Sequence, residues 1–88
     1  MQKDFQSITT EWVDINDIIT VEDDVNYYIQ NRGPATLIGQ ESATKPEDDN
    51  QEGILITPYK IAQYKKGTNN LYLRSFDREC SINITSEE

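Results

Sequence analysis

Apolar residues recur at every second position through most of this chain, a period that fits strands with one buried face and does not fit helices. Val25, Tyr27 and Ile29 alternate with Asn26, Tyr28 and Gln30. Asn31-Arg32-Gly33-Pro34 then breaks the run, because Gly33 accepts positive φ and Pro34 cannot donate to a ladder. Alternation resumes at Ala35, Leu37 and Gly39, so this pair reads as a hairpin or as a corner between sheets. Gly53-Ile54-Leu55-Ile56-Thr57 is a short apolar strand stopped by Pro58. Strands at 60–65, 71–75 and 80–85 follow, joined by polar turns at 66–70 and 76–79. Short strands with frequent turn signals predict an all-β fold, a small antiparallel sandwich or open barrel ending in a three-stranded meander.

Residues 12–21 are less regular. Trp12, Ile15 and Ile19 fall at helical spacing, but β-branched residues abound and Asp14, Asn16 and Asp17 interrupt the stripe. One or two strands are expected there, with a helical turn as the alternative. Eighty-eight residues give one domain with a small core.

Thirteen residues, Glu41 to Gly53, contain no large apolar side chain and carry a local charge of −4. A long acidic loop is expected there, mobile for want of apolar anchors. Residues 1–40 carry −5 and residues 54–88 carry +1, so the formal charge of −8 is segregated along the chain. The chain closes on an acidic tail, 86–88. No stretch approaches the roughly 18 apolar residues of a membrane span, and Met1 to Phe5 lacks a signal peptide's apolar run. Synthesis in a reducing cytoplasm is expected. The single cysteine, Cys80, alternates with Ile82 and Ile84 and is expected to face the core as a structural thiol. Asn83-Ile84-Thr85 matches the glycosylation pattern, read here as coincidence.

The residue inventory restricts chemistry. Without histidine there is no Ser–His or Cys–His nucleophile, and the paired carboxylates lie in turns where acids are usually solvated. No catalytic residue, cofactor or metal is therefore assigned, and a non-enzymatic protein is expected. Asp48, Asn50, Glu52 and Gly53 imitate the start of an EF-hand loop, but Tyr59 occupies the position of the bidentate Glu. A weak cation site at Asp48, Asp49 and Glu52 is the remaining alternative. Lys60, Lys65, Lys66, Arg74 and Arg78 give the closing strands a basic character, although a molecule at −8 repels phosphate, so direct nucleic-acid binding is not expected. Trp12, Tyr28, Tyr59, Tyr64 and Tyr72 are the candidate partner-interface residues, since exposed aromatics anchor interfaces. The competing role for them is cross-strand packing.

Four motifs carry a resemblance: Tyr28-Ile29-Gln30-Asn31-Arg32-Gly33-Pro34, the acidic stretch around Pro46, Gly53-Ile54-Leu55-Ile56-Thr57-Pro58, and Gly67 through Leu71-Tyr72-Leu73-Arg74-Ser75. Across roughly residues 25–85 the chain resembles small all-β bacteriophage virion proteins. That resemblance implies a capsid-decoration, head-completion or tail-associated component bound to a symmetric lattice. It implies other virion proteins as partners, as a homo-oligomer or lattice-bound, made in the host cytoplasm and then carried in the virion. The motifs are turn and strand chemistry, so no functional residue carries over. The alternative expectation is a small acidic inhibitor, possibly a DNA mimic.

Overall fold

The computed structural model describes residues 2–19, 21–65, 67 and 69–86, with the side chains of 2–6 outside that description. Glu87 and Glu88 of the acidic tail, and Lys66 and Thr68 of one turn, fall outside it as well. Eight strands form: β1 (Gln2–Ile8), β2 (Val13–Asp14), β3 (Asn26–Asn31), β4 (Leu37–Ser42), β5 (Ile54–Ile56), β6 (Ile61–Lys65), β7 (Asn70–Ser75) and β8 (Cys80–Ser86). A 3-10 turn, Ile15–Asp17, follows β2, with the Asp14 carboxylate accepting from the Asn16 amide. Residues 12–21 thus contain both a short strand and a helical turn.

The strands divide into two antiparallel four-stranded sheets, ordered β1-β8-β3-β6 and β2-β7-β4-β5. Only β4 and β5 are both consecutive and paired. Every other connection crosses between the sheets, and this order is the double Greek key of an eight-stranded jelly roll. The expected closing meander is therefore corrected, because β6 and β8 lie in the first sheet and β7 in the second. The reason lies in β7, whose Leu71, Tyr72, Leu73, Arg74 and Ser75 are all buried. Its inner face meets the core at Leu71 and Leu73, its outer face is covered by loop 43–53 through Arg74, and its paired neighbours are β2 and β4.

Alternation places one side of each strand in a common core. Tyr27, Ile29, Leu37, Ile56, Leu73, Ile82 and Ile84 meet there with Ile8, Ile15 and Cys80. Each fully buried aliphatic contributes about 1.5–3 kcal/mol of transfer free energy. Asn31 is a polar pin at the end of β3, wholly buried. Its amide donates to Ala35 O and Ile56 O, both at 2.7 Å, and its Oδ1 accepts from Gly33 N and the Cys80 thiol, both at 3.0 Å. One side chain thereby joins β3, the corner, β5 and β8. A Cβ on Gly33 would lie 2.7 Å from Cys80 Sγ and 2.9 Å from Ser81 N, so only glycine fits at this corner.

Candidate interaction surface

The outer face of the β2-β7-β4-β5 sheet carries a second apolar cluster, Trp12, Ile38 and Tyr72. Loop 43–53 lies over it. Trp12 Nε1 donates to Glu47 O and Asn50 O, each at 3.1 Å, and Arg74 Nη1 donates to Asp48 O at 2.7 Å. The Arg74 guanidinium sits over the Trp12 ring, 5.8 Å from its centroid, within cation–π range. The loop has no apolar anchor of its own, and the anchors reach up to it from the sheet. The expected long acidic loop is thus docked on the sheet by three hydrogen bonds. Glu47, Asp48 and Asp49 are exposed on this docked segment.

Among the described side chains, the large exposed apolar residues are Ile54, Leu55, Tyr59, Ile61 and Phe76. They belong to β5, to β6 and to the loops at one end of the sandwich. Leu55 pairs with Ile38 in register, so it continues the outer-face cluster beyond the loop's cover. Ile61 pairs with Gln30 on the free edge of the other sheet. Thr57-Pro58-Tyr59-Lys60 is a turn closed by Lys60 N donating to Thr57 O at 3.0 Å. Tyr59 has φ of 65° there, a left-handed conformation that costs a non-glycine residue about 1 kcal/mol. The turn is held by Tyr59 N donating to Asn31 O and Asn31 N donating to Lys60 O. An aromatic side chain 68% exposed is thus carried on a turn whose geometry suits glycine.

Pro34, Ala35, Leu55, Phe76, Asp77 and Arg78 line a groove of about 280 Å³. Residues 9–11, 32–36, 57–60 and 76–79 all lie at this end, because β1, β3, β5 and β7 finish there and β4, β6 and β8 start there. Its exposed charges are Arg32, Lys60 and Arg78 against Glu11, Asp77 and Glu79. The end is therefore neutral on a molecule of formal charge −8.

The candidate aromatics are not brought together. Trp12, Tyr64 and Tyr72 are buried, and Tyr28 is half-buried on β3. Burial makes the first three structural, as cross-strand and loop-docking residues. Of the five, only Tyr59 stands exposed. Tyr64 donates to Asn69 O at 2.6 Å, and its pKa is pushed up to about 12 by burial first and then by the charges of Glu41, Asp14 and Asp23. Sequence reasoning missed Ile54, Leu55, Ile61 and Phe76, which it read as strand or turn residues. Cys80 is buried as expected, yet its thiol lies beside Asn31 Oδ1 in a polar niche. Among the described residues no group of three or more Cys, Asp or Glu side chains converges on a metal position, and no helix is long and apolar enough to cross a membrane. Comparison of the chain with protein-family models, with curated proteins and with solved structures found no match.

Proposed function

We propose that this protein is a non-enzymatic assembly subunit, an all-β virion component that docks on a symmetric particle. The observation that carries this reading is the apolar set Leu55, Tyr59 and Phe76, left exposed around one neutral end of an otherwise acidic sandwich. A small domain keeps such residues uncovered at a cost in solubility, which a partner surface removes. The strained Tyr59 turn agrees, since backbone strain concentrates where a side chain must be presented. The jelly-roll order adds an analogy only, because capsid and lectin domains both use it.

The test is composition of particles purified by density gradient from cells that express the gene. The chain is expected in them at a copy number set by particle symmetry, and replacement of Leu55 and Phe76 by Ser is expected to remove it. Particles of full composition lacking the chain would refute this reading.

One observation favours the acidic-inhibitor reading. Trp12 and Arg74 fix the loop, so Glu47, Asp48 and Asp49 are presented on an anchored surface. Binding through those carboxylates would weaken steeply with salt and with their neutralisation. Binding through Leu55, Tyr59 and Phe76 would survive both.

A further inference from the structure

We infer that the neutral end is a self-association surface, on which a second copy of this chain seats the Tyr59 ring of each copy in the groove of the other. This extends the assembly reading by naming a partner, and it stands or falls separately from any particle. Three observations lead to it.

The first is shape. Tyr59 projects from the Pro58-Tyr59 turn, and the groove between Pro34, Ala35, Leu55 and Phe76 opens at the same end. Its volume of about 280 Å³ exceeds the roughly 150 Å³ of an enclosed apolar cavity that admits benzene, so it has room for a phenol ring. A projection and a recess on one surface permit an isologous twofold contact, in which each copy gives and receives the same group.

The second is charge. Two molecules of −8 repel at most approaches, and the repulsion is least where the local charge sums to zero. Arg32, Lys60 and Arg78 balance Glu11, Asp77 and Glu79 at this end, with Arg78 and Asp77 already 3.6 Å apart as an exposed ion pair, so a second copy meets no net charge there. A foreign partner selected by the acidic surface would instead use the loop face or the Glu22-Asp23-Asp24 turn.

The third is edge protection. The free edge of β6 is flanked by Lys60 and Lys65, which blunt strand addition. Ile54-Leu55-Ile56-Thr57 has no such charge, so the apolar edge beside the groove is left open.

The experiment is light scattering on the purified chain across a concentration series, at low and at high salt. The mass is expected to rise from 10.2 kDa toward twice that value. Association is expected to strengthen with salt, because screening removes the repulsion of two acidic bodies. Tyr59→Gly is the informative variant, since glycine accepts positive φ and relief of strain offsets its greater chain entropy. It is expected to keep the thermal midpoint and weaken dimerisation at least tenfold. Phe76→Ser is expected to do the same from the groove side. Replacing Glu47, Asp48 and Asp49 by their amides is expected to leave the dimer intact or tighten it. A mass of 10.2 kDa at every concentration and salt would overturn the inference, even if the chain is found in particles. So would a dimer indifferent to Tyr59→Gly and Phe76→Ser, or one that salt dissolves.

Discussion

Asn31→Asp changes almost no volume, so its cost reports hydrogen bonding and not packing. The amide donates at 2.7 Å to both Ala35 O and Ile56 O in a site with no exposure. An ionised carboxylate there would leave two buried carbonyls unpaired, each at about 1–3 kcal/mol, so the loss at neutral pH is about 4 kcal/mol. The whole chain holds on the order of 4–13 kcal/mol at the usual per-residue stability, so that loss is a large share. The introduced carboxyl has a folded pKa raised by burial and by the two carbonyl oxygens. Its penalty is therefore full above that pKa and shrinks as pH falls toward the unfolded value near 3.9. Once protonated it donates one hydrogen bond, so the difference from wild type drops to about half near pH 4. Urea unfolding followed by Trp12 fluorescence measures this, as Trp12 is the only tryptophan and is buried. A difference under about 1 kcal/mol at neutral pH, or one that grows on acidification, would show that Asn31 does not hold the corner together.

Three further outcomes are expected. Tyr64 remains protonated to about 12 in the folded chain, so stability falls as pH rises from 10.0 toward 12, and Tyr64→Phe abolishes that slope in urea midpoints. Gly33→Ala forces a methyl against Cys80 Sγ and Ser81 N and costs about 1–3 kcal/mol, while adding Cys80→Ala restores only the part due to sulfur. Trp12→Phe removes both donations to the acidic loop, costs about 1–2 kcal/mol, and exposes 43–53 to protease and to fast amide exchange while β8 stays protected.

Strand positions were legible because period two is a local property. Tyr27 and Ile29, Leu71 and Leu73, and Ile82 and Ile84 all face the core where alternation put them. Strand partners were not legible, because the turns at 66–70 and 76–79 suit a hairpin as well as a crossover. The burial of all of Leu71-Tyr72-Leu73-Arg74-Ser75 is a tertiary outcome, since alternation alone leaves Tyr72 and Arg74 on the face away from Leu71 and Leu73. β1 was missed altogether, since Gln2–Ile8 is mostly polar and lies at a sheet edge. The resemblance motifs now have physical content within this chain: Asn31 and Gly33 build the corner, and Arg74 clamps the loop. Exposed apolar residues at one end were invisible for a simple reason. Ile54-Leu55-Ile56 reads as a core strand, and only its edge position leaves two of the three uncovered.

Charge segregation along the sequence does not survive folding, and that bears on which partners the protein can take. The basic closing segment is dispersed by the crossovers between sheets. Lys60 and Arg78 reach one end, Lys65 the other, and Arg74 lies buried under the acidic loop, its guanidinium turned to Trp12 and Asp48 O. Those four cations form no track along which a phosphate backbone can run, and tracking by several cations is what supplies non-specific nucleic-acid affinity. The same crossovers gather three acids and three bases from four separate loops at the end that carries Tyr59 and the groove. Folding therefore turns a linear imbalance into an acidic body with one neutral end that carries exposed apolar residues, and on the proposed assembly reading a partner would be selected there by fit at the aromatic, with the surrounding charges setting the rate of encounter.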